Sequence, residues 1–309
     1  MQKALVLMNM WASRNREEFK VFLKNMFMDK NILSIKNIFL RKIISFFIVR
    51  KILKNHWENF EKIGWTSPMH KITENLVKIL QKKLPDFFVT YSMRYTEPFA
   101  EEIIKKLKQK NIKEVLLFPL YPQGSVATNI SSLEDFEKKA KKIFKIKKIN
   151  PFFENKIYNE KIIKKILEKM KNKKFNDYNF VFSAHSMPQK IIDSGDVYQK
   201  HIERNVEILK KIFLEKNMDF ASVSLAYQSK VGKQKWLEPA LWKIFEKFSW
   251  KKIIIYPISF VIENSETVYE LDIEYKDLAK NFWIKDFLRV ECLNENISEV
   301  IISEIEKIN

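Results

Sequence analysis

The feature that most constrains the fold of this chain is a recurring pattern of short apolar runs without helical period, separated by longer amphipathic stretches. The runs fall at residues 4–8, 87–91, 115–120, 180–183, 223–226 and 253–256, and helical periodicity occupies 72–83, 97–108, 162–171 and 198–211. A run that is apolar at every position is buried on both faces, which is the condition of a strand in a parallel sheet covered by helices. The pattern predicts an α/β fold.

The second half of the pattern echoes the first. Lys113-Glu114-Val115-Leu116-Leu117-Phe118-Pro119 resembles Lys251-Lys252-Ile253-Ile254-Ile255-Tyr256-Pro257, and Glu97-Pro98 has a counterpart in Glu238-Pro239. Both offsets are roughly 140 residues, the size of a duplicated domain and not of a solenoid unit. The expected architecture is two similar Rossmann-like domains, each a parallel sheet flanked by helices. The first would span 1–150, with a helical lip at about 15–62, and the second 151–309, closed by a C-terminal helix. Ligands meet such sheets at the carboxyl ends of the strands, so a cleft between the domains is expected and the residues just after each run are the ones to inspect.

Composition narrows the function classes. With 46% hydrophobic residues in 309, the chain has enough apolar surface for a substantial core. Its single cysteine, Cys292, rules out a disulfide framework and a cysteine-built zinc or iron–sulfur site. There is no glycine-rich phosphate loop, which argues against a nucleotide cofactor. The run at 4–8 is too brief for a signal peptide. Arg41, Lys42, Arg50 and Lys51 interrupt the best candidate for the roughly 20 apolar residues of a membrane span. The expected location is cytoplasmic, with peripheral contact at the inner face of the membrane. The net charge of +18 comes largely from lysines spread over many segments, so nucleic acid is not an expected partner. A solvated basic surface that favours anionic lipid is the better reading. The segment from Leu33 to Lys54, strongly apolar with interspersed lysine and arginine, reads either as a helix on a membrane surface or over a ligand pocket, or as a core helix.

Two groups of residues can carry chemistry. Ser183-Ala184-His185-Ser186-Met187-Pro188 places an imidazole at a strand end, where it is either a structural histidine or a catalytic one. After the last run, Glu266, Glu270 and Glu274 recur every fourth residue and would share one helix face. That face is either a solvated acidic stripe or a ladder passing protons or a divalent cation.

Three phrases resemble ferrochelatase signatures in the expected order: Phe182-Ser183-Ala184-His185-Ser186-Met187-Pro188; Gln228-Ser229-Lys230-Val231-Gly232 with Trp236-Leu237-Glu238-Pro239; and Pro257-Ile258-Ser259-Phe260 through Glu266-Thr267-Val268-Tyr269-Glu270-Leu271-Asp272-Ile273-Glu274-Tyr275. Looser agreement comes from Asn9-Met10, Gly64 with Ser67-Pro68, Met93-Arg94-Tyr95 with Pro98, and Tyr121-Pro122-Gln123 with Ser131-Ser132. The resemblance runs from about Leu5 to Asn294. It implies insertion of Fe²⁺ into a free-base porphyrin, with His185 taking pyrrole protons or ligating iron and Glu266 as its carboxylate partner. Glu270, Glu274 and Asn264 would line the proton or metal path. Met10, Arg94, Tyr95, Ser125, Trp236, Phe260 and Arg50 would contact porphyrin, with Arg94 and Arg50 or Lys51 pairing with propionates. Protoporphyrin IX is the expected substrate because Met10 stands where relatives acting on coproporphyrin tend to have tyrosine. Coproporphyrin, a cobalt chelatase activity, and a non-catalytic porphyrin carrier are the alternatives. The implied partners are protoporphyrin IX and Fe²⁺ as substrate, with no organic cofactor, no iron–sulfur cluster, and a monomeric chain. Asn264 departs from the family, since many relatives carry a second histidine there and an amide takes up no proton at neutral pH. Trp11-Ala12 and Trp65-Thr66 also stand where small glycines are common.

Overall fold

The computed structural model describes residues 2–33, 35–55, 61–64, 66–230 and 234–308. Every apolar run in the sequence is a strand. The first sheet holds β1 (Lys3–Asn9), β2 (Phe87–Met93), β3 (Glu114–Pro119) and β4 (Lys145–Lys148), in the order β2-β1-β3-β4. The second holds β5 (Tyr178–His185), β6 (Ser222–Gln228), β7 (Lys252–Pro257) and β8 (Asp286–Arg289), in the order β6-β5-β7-β8. All pairings are parallel and the order is the same in both sheets, as the internal echo requires. Glu97-Pro98 and Glu238-Pro239, the echoed dipeptides, are both cis.

The edge strands β4 and β8 were not legible as apolar runs. Each is four residues long and carries charge, which a sheet edge tolerates, and Lys145, Lys147 and Lys148 fill most of β4. Lys145 and Lys147 both approach Glu114 of β3 at 3.5 Å.

The described helices are α1 (Arg16–Met28), α2 (Ile38–Asn55), α3 (Met69–Lys83), α4 (Ala100–Gln109), α5 (Ser131–Ala140), α6 (Lys156–Lys169), α7 (Gln189–Asp193), α8 (Tyr198–Glu215), α9 (Leu241–Lys247), α10 (Tyr275–Asn281) and α11 (Ser298–Glu306). Helix α4 starts at Ala100 and not at 97, because a proline disfavours helical geometry in the residue before it. Its entry is capped by the Glu102 carboxylate, which accepts from the Phe99 N–H at 2.9 Å. It buries Ala100, Ile103, Ile104 and Leu107, the stripe that a 3.6-residue period places on one face. Two further helical segments have wide, π-type turns: Val126–Ile130 follows β3 and Glu266–Glu274 follows β7, the same place in each sheet.

The chain divides into two compact units, one of Met1–Pro151 with Ile301–Asn309 and one of Phe152–Val300. In the first, Ala4, Val6 and Met8 of β1 pack with Ile103, Leu107, Val115, Leu117 and Phe136. In the second, Val181, Ile253 and Ile255 face Leu241, Phe245 and Leu271. The opposite face of β5 carries Phe180 and Phe182, which meet Phe213 at ring-centroid distances of 5.1 and 5.9 Å. Phe220 adds a further contact with Phe180 at 4.9 Å. Truncating such a ring removes its buried area and leaves a cavity. Phe180→Ala is therefore expected to lower the unfolding free energy by about 3–5 kcal/mol in denaturant titration, with far-UV circular dichroism unchanged before the transition.

Candidate active site

Strand order locates the site before any side chain is considered. In an order of 2-1-3-4 the chain leaves the first strand toward one side and the third toward the other, which opens a crevice at their carboxyl ends. In the second unit that point lies between β5 and β7. Strand β5 ends at His185, and β7 runs through Pro257 toward the wide helix Glu266–Glu274.

His185 is held from several directions. Its backbone N–H donates to Ser259 Oγ at 2.9 Å, and the Tyr198 hydroxyl donates to its carbonyl at 2.9 Å. Tyr198 and Ser259 also join each other at 2.8 Å. The ring Nδ1 lies 2.6 Å from the Ser186 carbonyl oxygen, so Nδ1 carries the hydrogen and donates it. In the neutral ring the Nε2 lone pair is left free, and this atom faces Glu266 Oε2 at 3.8 Å. Phe260 stands edge-on to the imidazole, with centroids 6.4 Å apart.

Electrostatics keeps this pair from closing into a fixed ion pair. Desolvation lowers the His185 pKa, against the opposing pull of Glu270 and of the bond to Ser186. Burial pushes the Glu266 carboxyl up to about 7. Glu270 also reaches about 7, through burial and then the charge of Glu266, against hydrogen bonds from Ser229 and Gln228 and the nearby His185. The Glu270 carboxylate accepts from Gln228 Nε2 at 2.9 Å and from the Ser229 hydroxyl. Gln228 is in turn fixed by Ser183, whose hydroxyl donates to Oε1 at 2.6 Å. The His185 and Glu266 side chains remain 37% and 28% exposed, so incoming solutes can reach them.

The glutamates share a face as the sequence spacing predicts, although the helix is wider than an α-helix. Its bonds run from i to i+5, so residues four or five apart still stack. Asn264 sits at the helix entry with its amide turned to the backbone. Oδ1 accepts from the N–H of Glu266 at 2.8 Å and of Thr267 at 3.3 Å, and Nδ2 donates to the Ile262 carbonyl at 3.2 Å. Trp236 pairs with Pro188 through an isolated β-bridge, and its Nε1–H is buried with no hydrogen-bond partner among the described residues. Val231 and Gly232, which complete the motif beginning at Gln228, lie outside the described residues, as does Trp65.

The remaining sequence-predicted residues belong to the first unit. Met10 follows β1, and its carbonyl accepts from the Tyr95 N–H at 2.8 Å. Tyr95 is fully buried among Phe19, Phe22 and Leu23, so it supports Met10 and Trp11 from the core side and reaches no solvent. Arg94 is already partnered: it donates to Asp29 at 2.7 Å and to Ser131 at 3.0 Å, and it pairs with Asp135 at 3.3 Å. Burial pushes the Asp29 carboxyl up, but bonds from Ser131 and Asn31 and the Arg94 charge bring it below its usual value. Arg94 borders a cleft of about 470 Å³ with Asp29, Phe99, Glu101 and Lys139, which contains neither His185 nor Glu266. Ser125 Oγ caps Val126–Ile130 through the Ala127 N–H at 3.2 Å. Arg50 is exposed on α2. Sequence reasoning missed Tyr198, Ser259, Gln228 and Ser229 as supports of the site. Gln228 and Ser229 were inside a recognised motif, whereas Tyr198 carried no local signal.

Among the described residues no three His, Cys, Asp or Glu side chains converge to hold a metal ion, so the candidate donor set is the His185–Glu266 pair. An imidazole and a carboxylate that do not enclose an ion suit a borderline divalent metal in transit.

Two four-stranded parallel sheets of the same strand order, each flanked by helices, give this chain the α/β fold of the chelatases. The structure of SirB from Bacillus subtilis with Fe³⁺ is similar in fold, with a TM-score of 0.61 over 99% of this chain and 95% of that one at 9% identity. The family profile described as ferrochelatase matches residues 2–303. Ferrochelatases of Nitratiruptor sp. and Wolinella succinogenes are 46% and 42% identical, covering 95% and 96% of this chain and 95% of each relative. The chain belongs to the ferrochelatase family.

The raised glutamate pair makes a prediction about titration. Macroscopic carboxyl titrations belonging to Glu266 and Glu270 should appear near pH 7 in carbonyl-labelled NMR, and Glu266→Gln should move the remaining one down, because a neutral amide removes the charge that opposes ionisation of Glu270. Since a raised carboxylate favours the folded state only while protonated, these groups should also make stability fall as pH rises from about 4.5 through 7.

Proposed function

We propose that this chain inserts Fe²⁺ into protoporphyrin IX to give protohaem, the terminal step of haem biosynthesis. The observation that carries the reading is the free Nε2 of His185 beside a glutamate pair whose protons leave near neutral pH. Insertion replaces two pyrrole N–H protons by one divalent cation and transfers no electrons. The chemistry therefore needs a base, a route for protons and a weak metal site, and calls for no organic cofactor. His185 Nε2 accepts a pyrrole proton, Glu266 takes it or a second one, and Glu270 and Glu274 continue the path along the helix. Gln228 and Ser229 hold Glu270 in line. Met10 supports protoporphyrin as the substrate, with coproporphyrin the competing choice.

The test is anaerobic: protein, Fe²⁺ and protoporphyrin IX are mixed, loss of free-base fluorescence is followed, and the assay is repeated with coproporphyrin III and with Co²⁺. Multiple turnover with protoporphyrin and Fe²⁺ is expected. Tight binding without conversion of any pair would overturn the reading in favour of a carrier. Loss of a positioned general base removes about 10²–10⁴ in rate, so His185→Ala and Glu266→Gln should each lower kcat by that range while porphyrin binding is kept.

The same reading includes contact with an anionic membrane through the segment 33–54. Ile38, Phe39, Ile43, Phe46 and Phe47 of α2 are 57%, 76%, 56%, 60% and 64% exposed, beside exposed Lys42, Arg50 and Lys51. Exposed large apolar side chains flanked by lysine and arginine suit a helix resting in a lipid interface and attracted to acidic headgroups. None of the described helices is long and apolar enough to cross a membrane. Co-flotation with vesicles containing phosphatidylglycerol is expected, weaker with phosphatidylcholine alone or in high salt. The double variant Phe46→Ser/Phe47→Ser should abolish flotation; unchanged flotation would remove α2 as the contact.

A further inference from the structure

The helix that carries Glu266 and Glu270 is of a kind that rarely persists without outside support. Bonds from i to i+5 are less favourable than α-helical ones, and a π-type segment survives where its surroundings determine it. In the second unit that support is concentrated on one guanidinium. Arg289 ends the edge strand β8, in register with Ile255 of β7. Its Nε donates to Asp272 Oδ1 at 2.8 Å and its NH2 to Asp272 Oδ2, a two-pronged grip near the helix exit. Its NH1 donates to Glu263, just before the helix entry. Glu263 also accepts from the Thr267 hydroxyl, inside the first turn, and from the Cys292 N–H at 2.7 Å. The Arg289 and Glu263 side chains are 10% and 9% exposed. One cation thus ties the start of the helix to its far end and fixes both to the sheet.

We propose that Arg289 is a positioning residue for metal insertion, acting through Glu263 and Asp272 to hold the wide helix in the geometry that presents Glu266 and Glu270 to His185. The side-chain bonds of Arg289 go to Asp272 and Glu263, so its role is distinct from that of the base and path residues. The inference rests on the iron-insertion reading above.

Charge and shape both matter to this clamp. Two carboxylates face one guanidinium, so losing the cation leaves Glu263 buried beside a like charge. Lysine keeps the charge but cannot grip Asp272 with two parallel bonds and reach Glu263 at once. Asp272 is the cleaner place to cut, because its side chain is 37% exposed and Asp272→Asn leaves the buried Arg289–Glu263 pair intact.

The experiment compares wild type, Arg289→Lys and Asp272→Asn as full-length proteins, assayed anaerobically with protoporphyrin IX and Fe²⁺. The expected result for both variants is kcat reduced about 10- to 100-fold, porphyrin KM changed less than about threefold, and the rising limb of the pH–rate profile displaced by about half a unit or more. Backbone hydrogen exchange over 266–274 should accelerate in both variants, and this readout needs no turnover. Wild-type kcat and pH profile in Asp272→Asn, in a wild type that turns over, would overturn the proposal and leave the iron-insertion reading standing. Exchange over 266–274 identical to wild type would overturn it whether or not the wild type turns over. Loss of activity in Arg289→Lys that merely follows thermal unfolding, with Asp272→Asn normal, would count as structural and also overturn it.

Discussion

Desolvation at the carboxyl ends of β5 and β7 is the interaction on which the chemistry proposed for this chain depends. On an open surface the two glutamates would titrate at ordinary values and be charged throughout the neutral range, while the histidine would change charge just below it. Burial moves Glu266 and Glu270 up to about 7 and His185 down, so all of these groups approach neutrality together. Such groups can take a proton and release it at one pH, which a fixed ion pair cannot do. The parallel sheet, the hydrogen bonds of Ser259 and Tyr198 to the β5 end, and the wide helix after β7 all place these side chains in that setting.

Duplication supplied the architecture twice and the chemistry once. Both units have the same strand order and both follow their third strand with π-type turns. In the first unit those turns read Val126-Ala127-Thr128-Asn129-Ile130 and contain no ionisable group. In the second the counterpart carries Glu266, Glu270, Asp272 and Glu274. The acidic version is supported by an arginine that takes up Asp272 and, with backbone and hydroxyl donors, Glu263 just before the helix. Arg94 and Asp29 form a comparable neutralised pair in the first unit, at the end of β2. A guanidinium with two carboxylates at hand is less available to a substrate propionate than its sequence position suggests.

Most of the fold was legible because the buried strands are apolar at every position and the amphipathic helices keep their period. Strands β4 and β8 were hidden because each is only four residues long and carries charge, and Lys145-Ile146-Lys147-Lys148 resembles a surface loop. His185 and the glutamates were legible from motif and spacing, but their surroundings were not. Tyr198 reaches the site from the start of a helix with no sequence signal nearby, and Arg289 comes from an edge strand that showed no apolar run. The departure of the helix from α geometry was also invisible, because residues four apart share a face in either form. Tyr95, adjacent to Arg94 in a recognisable motif, turns into the core, since neighbouring residues after a strand end need not face the same way.

Asn264 shows how the proposed site accommodates the position where the family resemblance leads one to expect a second histidine. The amide caps the wide helix through two backbone N–H groups and returns its own donor to Ile262, so its polar atoms serve the helix entry. An amide has no proton to exchange near neutrality, and an imidazole in its place would have brought a second group titrating close to 6.5. Two carboxyls held near 7 already cover that range. Because the charge of Glu266 raises Glu270, the pair takes up its protons in coupled steps, and a proton arriving at one end eases release from the other. In the proposed reading, the titrating capacity that a second imidazole would provide is thus present in the glutamate pair, and position 264 is free to be a cap.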